Sequence, residues 1–183
     1  LMLEIGKAVG YVKIVGLSLE IGCGQSKKHP VRVDFSTNSA ANVICNASYL
    51  PFQDMSFSFV YSKHIFEHLA NPRQALEEWM RVLLPSGKAE IITDNASYWR
   101  FHVHLPRWMG LPNTHQDYSG TLDTDQHVAI YFDMHLYNHL KCVKLKNVTV
   151  QYAGFFPLSL PLKWIGLSKY AAAALVATGE KSN

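Results

Sequence analysis

Residues 17–24 read Leu-Ser-Leu-Glu-Ile-Gly-Cys-Gly, and this run constrains the fold more than any other stretch. An apolar strand carrying Glu20 runs into Gly22 and Gly24 with one residue between them. A glycine turn at the end of a buried strand lets backbone N–H groups approach a ligand closely. Two common ligand turns fail on spacing. A dinucleotide fingerprint needs a third glycine where Lys27 stands. A phosphate-cradling loop needs a Gly-Lys pair followed by Ser or Thr, which is missing here.

The remainder of the chain alternates strand and helix patterns, which predicts a parallel sheet flanked by helices. Expected strands are Leu17–Ile21, Val31–Phe35, Val43–Cys45, Phe57–Ser62, Ala89–Thr93, Lys146–Tyr152 and Ala172–Thr178. A short helix is expected over Ile65–Leu69, a longer one over Pro72–Leu84, and another over His127–Leu140. Asn71-Pro72 is a helix start, with Asn as cap and Pro in the first turn. Ala75, Leu76, Trp79, Met80, Val82 and Leu83 give that helix an apolar face. About nine residues separate Gly24 from Asp34, fewer than the dozen or so a parallel crossover normally takes. Either the first crossover helix is reduced to a turn or the strand limits shift. The stretch 95–126 is aromatic, His-rich and broken by Gly and Pro; its length predicts a functional lid, with one short helix near Ser97–His104.

Composition bounds the function. At 183 residues the chain can build one domain with a full core. A net charge of +3 and the lack of a basic run interleaved with aromatics argue against a nucleic-acid partner. Cys23, Cys45 and Cys142 are too scattered for a zinc or disulfide framework, so free thiols in a reducing cytoplasm are expected. The apolar stretch 155–179 is interrupted by Pro157, Pro161, Lys163 and Lys169, which argues against a membrane span. Phe155, Phe156, Trp164 and Leu167 leave room for peripheral membrane contact. No sequence pattern fixes an oligomeric state.

Four further segments sharpen the reading. Asp34 closes the second strand, where a carboxylate can accept hydrogen bonds from two ribose hydroxyls. Residues 46–60 read Asn-Ala-Ser-Tyr-Leu-Pro-Phe-Gln-Asp-Met-Ser-Phe-Ser-Phe-Val. After the fourth strand comes Ser62-Lys63-His64-Ile65-Phe66-Glu67-His68-Leu69, and later Glu78-Trp79-Met80-Arg81-Val82-Leu83-Leu84-Pro85-Ser86-Gly87. In this order and spacing, Leu17 to about Asp94 resembles class I S-adenosylmethionine-dependent methyltransferases of the small methyltransferase-11 type. Asn46 and Ser58 stand where that pattern usually has carboxylates, and Ser26 where a further glycine is common.

The resemblance implies a Rossmann-like, seven-stranded, mostly parallel sheet whose last strand is antiparallel, with helices on both faces as an α/β/α sandwich. It implies one domain over 1–183 with a lid or acceptor insertion at about 95–126. It implies S-adenosylmethionine as cofactor, with S-adenosylhomocysteine as product. Glu20, Gly22, Cys23, Gly24, Asp34, Phe35, Asn46, Ala47, Ser62 and Lys63 would contact the cofactor, with Asn46 and Ala47 at the adenine. Arg81 is expected to form a surface or ion-pair contact rather than a catalytic one.

A sulfonium methyl is already activated, so catalysis is chiefly positioning, with a base needed only where the acceptor must lose a proton. His64, beside the cofactor loop, is the expected catalytic residue, and Tyr98, Trp99, His102 and His127 are expected to line an acceptor pocket for a small or lipid-like molecule. One alternative is a cofactor-binding partner without turnover. Another is a zinc hydrolase, because His64, Glu67 and His68 spell H-x-x-E-H and would place two His ligands at i, i+4 of a helix. No third ligand is evident in the sequence, and no metal is expected.

Overall fold

A computed structural model describes residues 4–5, 12–13, 16–98, 127–155 and 164–182. A short antiparallel pair, β1 (Glu4–Ile5) and β2 (Val12–Lys13), precedes the main sheet. That sheet contains β3 (Leu17–Ile21), β4 (Val31–Asp34), β5 (Val43–Ile44), β6 (Phe57–Lys63), β7 (Leu83–Asp94), β8 (Leu145–Phe155) and β9 (Ala172–Lys181). Their order is β5-β4-β3-β6-β7-β9-β8. β3 through β7 pair in parallel, and β9 inserts antiparallel between β7 and β8. All seven expected strands therefore form, and the last one runs antiparallel as anticipated.

The order reverses at β3, whose two neighbours are β4 and β6. In open α/β sheets this switch opens a crevice beyond the strand C-termini. The glycine turn lies at that end of β3.

Among the described residues the helices are α1 (Pro72–Val82), α2 (Asp133–Cys142) and α3 (Ser168–Ala171), with a 3-10 turn at Phe66–His68. Asn71 caps α1 by accepting from the Gln74 N–H at 3.2 Å. Leu76, Trp79 and Met80 of α1 and Leu136 and Leu140 of α2 join one hydrophobic core. Alternate sheet residues Leu19, Ile21, Val31, Val33, Val60, Ile91, Leu175 and Ala177 enter the same core. Both helices thus cover one face of the sheet.

The short crossover resolves in favour of a turn. Lys28 and His29 of that turn cover part of the opposite face at β3 and β6. The His29 ring lies 4.9 Å from that of Tyr61 and 5.7 Å from that of Phe59, and Nδ1 is 3.0 Å from the Ser18 hydroxyl. The Lys28 Nζ sits 3.9 Å above the Tyr61 ring. Nine residues are too few for a helix here, so side-chain stacking covers surface that a helix would otherwise bury.

Strand limits shift by up to six residues, and two helix boundaries differ from expectation. α1 stops at Val82 and β7 starts at Leu83, because Leu84 precedes Pro85 and is biased away from helical backbone. α2 starts at Asp133 rather than His127. Residues 127–131 are instead drawn into backbone bonds, with Val128 and Ala129 N–H on the Glu67 carbonyl and Ala96 N–H on the Tyr131 carbonyl.

Arg81 binds the segment before β6. It donates to the Leu50 and Phe52 carbonyls, to Asp54 at 2.6 Å, and to both oxygens of Glu78. Glu78 in turn accepts the Leu50 N–H at 2.7 Å. The Leu-Pro-Phe-x-Asp segment is thus clamped to α1 by an ion-pair network, the structural role expected of Arg81. Among the described residues no helix is long and apolar enough to cross a membrane.

Candidate active site

A cavity of about 920 Å³ opens over the C-terminal ends of β3, β4, β5 and β6. Its floor is the glycine turn. Gly22 has φ +69° and Gly24 φ +51°, backbone that favours glycine. A Cβ on Gly22 would also lie 2.7 Å from the Ile65 side chain, so no larger residue fits. The Gly22 N–H donates to the Val33 carbonyl at 2.9 Å, and the Gly24 N–H to Asp34 Oδ2 at 2.7 Å. Asp34 Oδ1 accepts the Ser36 N–H at 2.9 Å. The carboxylate thus fixes two backbone loops and keeps lone pairs toward the cavity.

Asn46 and Ala47 form part of the far wall. Asn46 Oδ1 accepts the Ser48 N–H at 2.8 Å, a side-chain turn that fixes the local backbone. The Ala47 carbonyl accepts from Trp79 Nε1 at 2.8 Å, which ties this wall to α1. Cys45 also lines the cavity; burial, with Asp34 and Glu78 nearby, pushes its thiol up to about 11, so it is neutral at physiological pH.

The cavity ends at His64, Ile65 and His68. His64 has φ +52°, an unusual conformation for a residue with a Cβ. Its Nδ1 lies 3.1 Å from Glu67 Oε1 and 3.4 Å from Asp94 Oδ1. Hydrogen bonding to Asp94 and then Glu67 raises its pKa to about 9, against the opposing effect of burial. His64 is therefore an imidazolium at neutral pH. Because the folded value exceeds the ordinary 6.5, the pairing stabilises fully below about pH 6.5 and is lost as pH rises through 9. A proton-resonance titration of His64 is expected to show a midpoint near 9. Urea midpoints should decline from pH 6.5 to 9.5 in the native chain and decline less in His64→Gln.

Of the residues expected at the cofactor, Gly22, Gly24, Asp34, Phe35, Asn46 and Ala47 line the cavity together with His64. Glu20, Cys23, Ser62 and Lys63 are not among the lining residues. Glu20 is buried and accepts the His29 N–H at 3.3 Å, supporting the turn from beneath. Cys23 and Ser62 are buried, while Lys63 is exposed.

Tyr98, expected at the acceptor, is buried in a turn closed by its own N–H on the Asn95 carbonyl. His127 is not among the lining residues either: its Nδ1 lies 3.4 Å from Asp94 Oδ2 and its ring 4.7 Å from that of His68, which does line the cavity. Trp99 and His102 lie outside the described residues. The expected i, i+4 helical pairing of His64 and His68 does not form, because only Phe66–His68 is helical and only as a 3-10 turn.

Asp94 is not among the residues the sequence singles out, and Glu67 stands out there only within the H-x-x-E-H pattern. Asp94 ends β7, and a carboxylate at a strand's C-terminal end was the signal available. Residues 19–91 match the family model described as a methyltransferase domain. No curated protein matches the chain. Solved structures share the fold at low identity. An S-adenosylmethionine-dependent methyltransferase of Thermotoga maritima is 17% identical, with TM-score 0.67, covering 91% of this chain and 83% of that one. A second, from Archaeoglobus fulgidus, is 15% identical with TM-score 0.64, covering 91% and 86%. Phosphoethanolamine N-methyltransferase 2 of Haemonchus contortus, solved with S-adenosyl-L-methionine, is 15% identical with TM-score 0.63, covering 98% of this chain and 51% of that one.

Proposed function

We propose that this chain, a class I S-adenosylmethionine-dependent methyltransferase whose residues 19–91 match the methyltransferase-domain family, methylates a small-molecule or lipid-like acceptor at the His64 end of its cavity. The observation that carries this reading is the single cavity running from the glycine turn past Asp34 and Asn46 to His64. Its volume lies within the range of about 300–1,000 Å³ usual for small-ligand sites.

In this reading Asp34 holds the ribose hydroxyls, Asn46 and Ala47 border the adenine, and the Gly22–Gly24 backbone receives the methionine moiety. Glu20 and Cys23 support that turn, Phe35 flanks the ribose, and Ser62 and Lys63 carry the chain to His64. The acceptor atom attacks the methyl carbon in line with the carbon–sulfur bond, and the thioether of S-adenosylhomocysteine leaves. His64, charged at neutral pH, orients the acceptor by donating a hydrogen bond. The whole chain 1–183 acts as one domain, with 95–126 supplying the rest of the acceptor pocket, Trp99 and His102 included.

Calorimetry with S-adenosylmethionine and S-adenosylhomocysteine tests the cofactor site, and micromolar or tighter binding is expected. Transfer of a labelled methyl group to a panel of small amines, phenols and lipid headgroups tests turnover. Cofactor binding with no transfer to any acceptor would favour a non-catalytic partner. No cofactor binding by folded protein would sink the proposal.

A further inference from the structure

Behind the His68 end of the cavity three side chains converge in a way the methyl-transfer reading does not use. Glu67, His68 and His127 each place a ligand atom within 4.8 Å of the others. We propose that this trio is a site for a divalent transition ion such as Mn²⁺ or Zn²⁺, which would hold an acceptor oxygen beside the methyl group; the inference rests on the cofactor reading above.

The chemistry of the donors is the first argument. One carboxylate and two imidazoles form a mixed oxygen–nitrogen set suited to first-row divalent ions, and three protein ligands leave coordination positions open. His68 lines the cavity, so an ion here faces the space the acceptor would enter. The trio is not the H-x-x-E-H arrangement, because His127 rather than His64 completes it.

The second argument is how firmly the donors are held. The Glu67 side chain is fully buried, and its Oε1 already lies 3.1 Å from His64 Nδ1, so an ion here would share the carboxylate with that imidazole. The Thr93 hydroxyl donates to Glu67 Oε2 at 2.8 Å and fixes the orientation of the carboxylate. His127 lies some sixty positions away in sequence, yet its segment is fastened to Glu67 itself: the Val128 and Ala129 N–H groups donate to the Glu67 carbonyl at 2.8 and 3.1 Å. Asp94 Oδ2 lies 3.4 Å from His127 Nδ1. A carboxylate this close to a histidine is the kind of neighbour commonly found behind metal-binding imidazoles.

An ion at this position would take an acceptor oxygen as a further ligand and make its O–H more acidic. The proton passes to water, the oxygen bonds to the methyl carbon, and the carbon–sulfur electron pair returns to sulfur. One hydroxyl and one sulfonium thus become one ether, one thioether and one proton.

The test uses the full chain stripped with a chelator, with Mn²⁺ and Zn²⁺ alone as probes. Calorimetry is expected to show one ion per chain at micromolar or tighter affinity. Glu67→Gln and His127→Ala should each weaken it at least tenfold. His68→Ala, at a partly exposed position, serves where a buried variant fails to fold. S-Adenosylmethionine binding is measured on the same samples. Cofactor binding without ion binding, or ion binding unchanged in all folded variants, would overturn the site and leave the methyltransferase reading intact. Ion binding that is lost in the variants supports the site, and does so even where cofactor binding fails and the methyltransferase reading falls.

Discussion

Asp34→Ala is expected to weaken S-adenosylmethionine binding about a hundredfold or more. A hydrogen bond to a charged group contributes roughly 1.5–3 kcal/mol, and two ribose hydroxyls on one carboxylate give about 3 kcal/mol at the lower end. Each 1.4 kcal/mol is about tenfold in affinity. The variant also frees the glycine turn, since Asp34 Oδ2 accepts the Gly24 N–H and Oδ1 the Ser36 N–H. Asp34→Asn keeps the shape and one acceptor oxygen, so its affinity should fall between the two. Calorimetry on the three proteins, with melting curves to confirm folding, decides the matter. Native-like affinity in Asp34→Ala would remove this carboxylate from the cofactor site.

That Asp34 could be singled out from sequence reflects where its information lies. It follows a strand with an alternating pattern and stands at a fixed distance from the glycine turn, so chain order alone places the two together. The wall at Asn46 and Ala47 was readable for the same reason, since Leu50, Phe52 and Arg81 form a local clamp that repeats a recognisable pattern. The acceptor end was not. His127 meets His68 and Asp94 across long stretches of chain, through backbone bonds to Glu67 that no periodicity encodes. The start of α2 differs for that reason as well: residues 127–131 contain helix-compatible side chains, but backbone bonds to Glu67 and Ala96 keep them out of the helix. Residues 95–98, the first of the stretch expected as a lid, are buried, and the Asn95 amide donates to the Lys169 and Ala172 carbonyls.

The other large effect is expected at Trp79, because one side chain serves both the core and the cavity wall. Its ring is fully buried and meets Phe66 edge-on at 6.3 Å. Trp79→Ala should cost about 3–5 kcal/mol, the usual range for emptying an aromatic site in a core. Against a total stability of about 5–15 kcal/mol this is a large fraction, and the melting temperature should drop on the order of 10 °C. Trp79→Phe separates the two roles. It refills most of the cavity but removes the N–H that binds the Ala47 carbonyl at 2.8 Å, a bond with a net value of about 1 kcal/mol. Stability should therefore recover most of the way, while cofactor affinity stays reduced because the adenine wall is no longer tied to α1. Denaturant unfolding and calorimetry on both variants read the two effects separately. Native affinity in Trp79→Phe would mean that packing alone holds residues 46–49 in place, and that the indole bond plays no part in shaping the cofactor site.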